Sequence, residues 1–260
     1  DTSVTGVQTC ALPISSTGVI NDLETISSYI REHNTALSIV DCVTSLGACN
    51  VPVDEWQLDI VASGSQKGYM IPPGLSFLSM SQNAWKATEK SNLPKFYLKL
   101  QSYRKSLLSN SNPYTPAVNL VFALDEALKM MREEGLDNIF FRHNKHKLAM
   151  SNAVKALNLK LFADEKYLSP SITAIKTGEL DAEEFRKKIK NKFDILLAGG
   201  QDSLKGKIFR VGHLGYVNDR DIITVVSAIS NTLLDLNKIS AQQAGEALAI
   251  ASKYLEEKLN

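Results

Sequence analysis

Two residues of opposite charge, Asp41 and Lys67, stand where a sheet could hold a ligand. Asp41 ends an apolar run, residues 36–40, of the kind that forms a buried strand. Lys67 follows a second apolar run, residues 58–62, and a turn of small residues, 63–66. Because α/β sheets bind ligands beyond the carboxyl ends of their strands, the sequence predicts that this acid and this amine share one cofactor site.

Arg210 is a third candidate. Its planar, permanently charged guanidinium suits a carboxylate, which it can bind with two parallel hydrogen bonds. It stands in an apolar run, Ile208-Phe209-Arg210-Val211, where a charge without a partner is costly. Each candidate has a plainer explanation. Lys67 could be a surface lysine in a turn, Asp41 a turn aspartate, and Arg210 a residue on the solvent face of an alternating strand.

Several motifs occur in a fixed order along the chain. They are S-T-G-V at 16–19, V-D-x-V-x-S-L-G at 40–47, D-x-x-x-x-G-S-Q-K at 59–67, P-P-G-L at 72–75, Y-T-P-A-V at 114–118 and K-I-F-R-V-G-H-L-G at 207–215. The ordered set resembles the fold-type I, class V aminotransferases, which use pyridoxal 5′-phosphate (PLP). Within that class it is most similar to the alanine–glyoxylate and serine–pyruvate aminotransferases. The resemblance covers nearly everything from Ser15 to the C-terminus.

The resemblance implies an α/β fold, and the local patterns agree with it. Residues 15–134 are expected to form the C-terminal part of a PLP-binding large domain with a mixed, mostly parallel sheet and helices. Residues 135–260 are expected to form a smaller C-terminal α+β domain. Strand-like runs in the second domain include 193–197 and 207–211, and Gly135 is the expected end of the preceding helix.

The resemblance also implies a role for each candidate. Lys67 would bond to the aldehyde of PLP and later move the α-proton of the amino acid, while Asp41 would keep the pyridine nitrogen protonated. Val43, two residues after Asp41 and so on the same side of an extended chain, would pack on one face of the ring. Gln66 would help to hold the phosphate, and Arg210 would bind the substrate carboxylate.

Two further positions connect the site to its surroundings. Thr115 would reach the phosphate of the partner subunit's PLP, which makes a homodimer the expected assembly. Thr115 also fits a plainer role, capping a helix that has Pro116 at its first position. Ser15 would contact PLP on the side of the phenolic oxygen and Asp41.

The implied reaction is transfer of an amino group from alanine or serine to glyoxylate or pyruvate. Cysteine desulfurases share the fold, but they carry histidine before the PLP lysine, and here that residue is Gln66. Phosphoserine aminotransferase is the nearer alternative, and the R-V-G-H-L-G motif at 210–215 favours the alanine–glyoxylate branch.

The first residues do not follow the family pattern. Residues 4–14, V-T-G-V-Q-T-C-A-L-P-I, resemble the in-frame translation of a sequencing-library adaptor, so residues 1–14 are expected to be an artefact. The family has more than a hundred residues before S-T-G, including the loop that cradles the PLP phosphate and the aromatic residue that stacks on the ring. The chain is therefore expected to be an N-terminally truncated fragment. An alternative to activity is a catalytically incompetent fragment.

The net charge and the cysteine content of the chain argue against several other classes of function. A net charge of +1 gives no general attraction to nucleic acid or to an anionic membrane. Three cysteines without paired spacing indicate neither a zinc site nor a disulfide framework, so a cytoplasmic protein is expected. His143 and His146 lie in a basic run, R-H-N-K-H-K, and are predicted to occupy a solvated helix face, with no metal bound.

Overall fold

The computed structural model describes residues 16–32 and 36–259. The strands are β1 (Ile39–Asp41), β2 (Ile60–Gly64), β3 (Ser76–Met80), β4 (Lys160–Leu161), β5 (Ile172–Lys176), β6 (Ala198–Gly199) and β7 (Ile208–Gly212). The helices are α1 (Leu23–Glu32), α2 (Gln82–Lys90), α3 (Leu100–Leu108), α4 (Val118–Glu134), α5 (Leu136–Ala156), α6 (Ala182–Phe193), α7 (Asp219–Asp235) and α8 (Ala241–Leu255). The α/β fold class is confirmed.

The first sheet has the strand order β1-β2-β3 and is mixed. β1 and β2 are parallel, with Asp41 opposite Ala62, whereas β2 and β3 are antiparallel. Both parallel strands begin later than their apolar runs. The reason lies at Ser38 and Asp59, whose side chains bind each other's backbone: the Ser38 amide donates to Asp59 Oδ2 (3.0 Å) and the Asp59 amide to Ser38 Oγ (2.7 Å). These bonds use backbone groups that a longer ladder would need.

The second sheet has the strand order β4-β5-β7-β6 and is antiparallel throughout. One face carries the main hydrophobic core, where Phe209 and Val211 of β7 pack with side chains of α5, α6, α7 and α8. Because side chains alternate along a strand, Ile208 and Arg210 lie on the opposite face. The α+β character expected for this half of the chain agrees with this arrangement.

Two local predictions, one in each half of the chain, differ from the structure. The run 193–197 is not a strand, because α6 continues through Phe193 and ends at Asp194 in the left-handed conformation (φ 55°). Phe193 packs against the core, so its burial suits the helix as well as it would suit a strand. Thr115 is not a helix cap: α4 begins at Val118, after Ala117, and no side chain caps it.

The helix boundary predicted at Gly135 is confirmed. Gly135 has φ 84° and donates its amide to the carbonyl of Met131, which ends α4 before α5 begins at Leu136. Within the ranges 16–32 and 36–259, no helix has both the length and the apolar character that a membrane crossing requires.

Candidate active site

The carboxyl ends of β1 and β2 bring Asp41 and Lys67 to the same edge of the first sheet. Asp41 is the last residue of β1, and the chain leaves β2 at Gly64, three residues before Lys67. Two bonds join the ends of these strands: the Cys42 amide donates to the Ala62 carbonyl (2.8 Å), and Ser63 Oγ donates to the Cys42 carbonyl (3.4 Å). The predicted meeting of acid and amine at one sheet edge is what the structure has.

Asp41 is partly buried and its side chain has a fixed orientation, because the Val43 amide donates to Asp41 Oδ1 (2.8 Å). The plain role of a turn aspartate is therefore present, and it is compatible with a role towards a ligand. Val43 itself lies in a turn and not on an extended chain. The reasoning that placed it on the same side as Asp41 by strand alternation was wrong, and its contact with a ring stays a prediction.

Lys67 lies in a turn that is anchored by the buried side chain of Ser65. Ser65 Oγ donates to the Pro72 carbonyl (2.8 Å) and accepts from the Leu75 amide (3.2 Å), which closes the loop that follows β2. The Met70 amide donates to the Lys67 carbonyl (3.0 Å). Lys67 is partly buried and Gln66 is exposed. These hydrogen bonds hold the backbone of the turn, while the side chains of Gln66 and Lys67 stay at least partly accessible to solvent.

The turn that carries Lys67 packs directly on the turn that follows Asp41. The backbone of Gly68 approaches the carbonyl of Leu46 so closely that a Cβ atom on Gly68 would fall well inside 3.0 Å of that oxygen. The same Cβ would lie 3.0 Å from the Cα of Gly47. A glycine at position 68 is therefore what allows the turn that carries Lys67 and the turn that follows Asp41 to lie this close. No local pattern marks position 68 as important, although the G-S-Q-K-G sequence places Gly68 next to Lys67.

Arg210 lies on the face of the second sheet opposite the main core. Its cross-strand neighbours in register are Ala174 and Ala198, whose small side chains leave room for the long one. Its Nε donates to the Gly199 carbonyl (2.8 Å), and only 8% of the residue is exposed. Burial, and then the nearby Arg186, lower the pKa of Arg210 from its ordinary value. The guanidinium is oriented and partly desolvated, which suits it to bind an anion.

The S-T-G-V motif lies on this same face. The Ser169 amide donates to the Gly18 carbonyl (2.9 Å), and a Cβ on Gly18 would lie 3.3 Å from the Cβ of Ala174, the register neighbour of Arg210. Ser15, the predicted contact on the phenolic side, lies outside the described residues. Thr115 is exposed in the loop before α4, and its predicted reach to a partner subunit stays a prediction.

The two halves of the site meet at Gly215, which follows β7. A Cβ on Gly215 would lie 3.3 Å from the Lys67 carbonyl oxygen and 3.2 Å from Cγ of Met70. Gly215 also has φ 82°, a conformation that favours glycine. The chain therefore runs from Arg210 to the Lys67 turn within five residues, and it touches that turn through a buried glycine.

The prediction that His143 and His146 occupy a solvated face was wrong. Both are fully buried, as is His213. The pKa of His143 is lowered to about 4 and that of His213 to about 3, mainly because both rings are buried. Both rings are therefore neutral near pH 7. Sequence reasoning missed them because Arg142 and Lys145 make the run look solvated. The Arg142 guanidinium instead binds the carbonyl of Gly215, between β7 and α7, and the Lys145 amine binds the carboxylate of Asp219 at the start of α7.

The donor set fits PLP. A carboxylate and an amine lie at one edge of two parallel strands, the amide side chain of Gln66 is exposed beside Lys67, and Arg210 faces the same side as the S-T-G motif. The residues that would hold the cofactor are Asp41 at the ring nitrogen, Lys67 at the aldehyde and Gln66 at the phosphate. Within the described part of the chain, no cluster of three or more histidine, cysteine or carboxylate side chains is arranged to hold a metal.

Comparison with known proteins gives a matching family model and relatives of two kinds. A family model described as Aminotransferase class-V matches residues 7–203. The chain is 54% identical over 241 residues to the small subunit of a soluble hydrogenase from Synechococcus sp. (strain PCC 6716), covering 93% of this chain and 62% of that protein. It is 34% identical over 251 residues to serine–glyoxylate aminotransferase from Methylorubrum extorquens, covering 94% and 62%.

A solved structure also matches most of the chain. The crystal structure of ureidoglycine–glyoxylate aminotransferase from Bacillus subtilis matches with a TM-score of 0.83 at 31% identity, over 92% of this chain and 63% of that one. The chain thus spans less than two thirds of the length of each of these proteins.

Proposed function

Because the chain belongs to the class V aminotransferases, we propose that the full-length protein transfers an amino group from alanine or serine to glyoxylate or pyruvate with PLP as its cofactor. The observation that carries this proposal is the packing of the Lys67 turn on the Asp41 turn at the carboxyl edge of β1 and β2. Relatives named for transfer to glyoxylate support the acceptor.

When bound, PLP supplies the electron sink for the α-carbon of the amino acid. The residues of the chain position the reactants and move protons. Lys67 would hold the cofactor at its amine, and its Nζ would take up the α-proton of the amino acid and later give it back. Asp41, oriented by the Val43 amide, keeps a proton on the ring nitrogen. Gln66 binds the phosphate at the exposed rim of the turn.

Arg210 binds the carboxylate of the amino or oxo acid. Its Nε is held by the Gly199 carbonyl, and this bond fixes the plane of the guanidinium before substrate arrives. Small neighbours on both sides, Ala174 and Ala198, leave the space that the substrate carboxylate needs. Since orientation is set in advance, less entropy is lost on binding.

We also propose that the protein works as a homodimer. The region from α2 to α4 exposes large apolar side chains on one continuous stretch of sequence, and exposed apolar surface of this kind marks association sites. The exposed side chains are Leu93, Phe96, Tyr97, Leu98, Leu107, Leu108, Val118, Val121 and Phe122. Thr115 lies within this stretch, which fits its predicted contact with the phosphate in the partner subunit.

A second candidate function comes from two relatives. Proteins 54% and 57% identical to this chain carry the names of soluble hydrogenase subunits. A role as a subunit of a hydrogenase assembly is therefore the alternative to transamination. The arrangement of Asp41, Lys67 and Arg210 has a direct use in amino transfer, and this is why we favour the aminotransferase.

The proposal is tested by incubating the full-length protein with PLP, alanine or serine, and glyoxylate, and measuring the glycine that forms. Lys67→Ala is the matched inactive variant. Glycine formation that depends on Lys67 supports the proposal. Hydrogen uptake by the protein, with glycine formation equal in wild type and Lys67→Ala, would favour the alternative.

A further inference from the structure

Helix α5 holds the segment between β7 and α7 through consecutive side chains. This segment comprises residues 213–217 and is called the 213–217 segment below. Arg142 Nη1 donates to the carbonyls of Gly215 (2.9 Å) and Val217 (3.0 Å), while its Nε and Nη2 donate to the carboxylate of Glu134 (2.6 and 2.9 Å). His143 reaches the same segment, because the Gly215 amide lies 3.1 Å from its Nε2. One residue, Gly215, is therefore held at both its amide and its carbonyl.

The contacts of His143 fix its tautomer. Its Nδ1 lies 2.7 Å from the Ile139 carbonyl, an acceptor, so Nδ1 carries the hydrogen. In the neutral ring Nε2 then has only a lone pair, and it accepts the Gly215 amide. A leucine of similar volume would leave that buried amide without a partner. The charged or titratable groups that face His143 are Glu134 from α4, Arg142 and His146 from α5, and His213 from the 213–217 segment.

The segment that His143 holds lies between the two halves of the candidate site. Gly215 packs on the carbonyl of Lys67 and on Met70, and Arg210 precedes it in the chain by five residues. Any displacement of Gly215 therefore shifts the contact with the Lys67 turn and the end of the strand that carries Arg210. A small misplacement of reacting groups costs a large factor in rate, so this contact matters for catalysis.

We propose that His143 is a positioning residue that acts through Gly215 and holds the Arg210 strand and the Lys67 turn in one fixed arrangement. Arg142 has the same role at the Gly215 carbonyl. Neither side chain needs to touch substrate or cofactor. The inference takes its catalytic meaning from the proposed function, but the contacts on which it rests do not depend on that function.

The test is amide hydrogen–deuterium exchange of the full chain, compared between wild type, His143→Leu and His143→Gln without added PLP or substrate. The glutamine variant is the conservative one, because its amide oxygen can accept from Gly215 as Nε2 does. Ile189→Ala or Ile189→Val, whichever matches the loss in unfolding midpoint, is the control for general loss of stability, since Ile189 is buried in the same core on α6. Arg142→Ala is the second variant, in case His143→Leu does not fold.

The expected result is exchange roughly tenfold faster in the 213–217 segment and in residues 65–71 for His143→Leu, the scale of one lost buried hydrogen bond. His143→Gln should exchange at the wild-type rate in both places, and the Ile189 control should show no local change there. Arg142→Ala should loosen the same two stretches.

Three results would overturn the inference. They are unchanged exchange at residues 65–71 in the His143→Leu or Arg142→Ala protein, no recovery in His143→Gln, or the same pattern in the Ile189 control. Failure of the proposed function would appear separately, as no glycine formed, and would leave these exchange rates untouched.

Discussion

Gly68→Ala is the substitution that most directly disturbs the arrangement of Asp41 and Lys67. Gly68 is buried and its φ is not positive, so alanine meets no conformational penalty from the backbone itself. The obstacle is the carbonyl of Leu46, which a Cβ at this position would approach well inside 3.0 Å. Since that atom belongs to the backbone, no side chain can rotate away to relieve the clash, and the two turns must move apart.

The size of the effect follows from this geometry. Restoring ordinary contact requires the turns to separate by roughly 1 Å, and misplacement of that size in a reacting group costs about 100-fold in rate. Overpacking of a well-packed site costs about 1–3 kcal/mol of stability. Gly68→Ala should therefore lose most of its amino-transfer rate while the protein still folds.

The assay compares thermal unfolding, PLP binding and glycine formation between wild type and Gly68→Ala. Gly245→Ala is the matched control: no atom lies within 4 Å of a Cβ there, and the residue is in helix α8. That control should be as active as wild type and more stable by about 0.5–1 kcal/mol, since alanine favours a helix. Full activity and unchanged unfolding in Gly68→Ala would refute the close packing of the two turns.

Three further changes have definite expected results. The free energy of unfolding should fall as the pH drops below 6.5. In the folded chain the pKa of His143 is about 4 and that of His213 is about 3, so between these values and 6.5 the unfolded chain binds protons that the folded chain does not. His143 alone should lower the free energy of unfolding by about 1.4 kcal/mol between about pH 8 and about pH 5.5. Denaturant titrations that gave the same free energy of unfolding at every pH would contradict this. Arg210→Lys keeps the charge but loses the planar fork, so KM for the amino donor should rise roughly tenfold or more while the unfolding midpoint changes little; an unchanged KM would remove Arg210 from the substrate site. Asp41→Asn keeps an oxygen for the Val43 amide but loses the charge, so kcat should fall on the order of 10²-fold with the fold intact; a wild-type kcat would remove Asp41 from the chemistry.

The sequence predicted the elements whose patterns are local. Hydrophobic periodicity predicted the helix before Gly135, the long helix after it and the strand around Arg210. Gly135 itself indicated where the first of these helices ends. The meeting of Asp41 and Lys67 followed from a general property of parallel sheets. Strand ends were less accurate, since the Ser38–Asp59 bonds compete with the ladder in a way that propensity alone does not show.

The buried histidines show why the rest could not be predicted. Arg142 and Lys145 flank them with charge, and charge near a histidine usually indicates a solvated helix face. Here those charges bind partners more than 70 positions away, at Gly215 and Asp219. Contacts over such separations depend on how the helix packs against the second sheet, and no local pattern encodes them. The same holds for Gly68 and Gly215, whose importance comes from what the fold places opposite them.

Binding of PLP at Lys67 is tested by the visible absorption of the full-length protein with PLP, compared with that of Lys67→Ala. We expect a protein-bound absorption band in the wild type that changes on addition of alanine and that is absent from Lys67→Ala. A band of equal strength in both proteins, or no band in either, would contradict the assignment of Lys67 to the cofactor site.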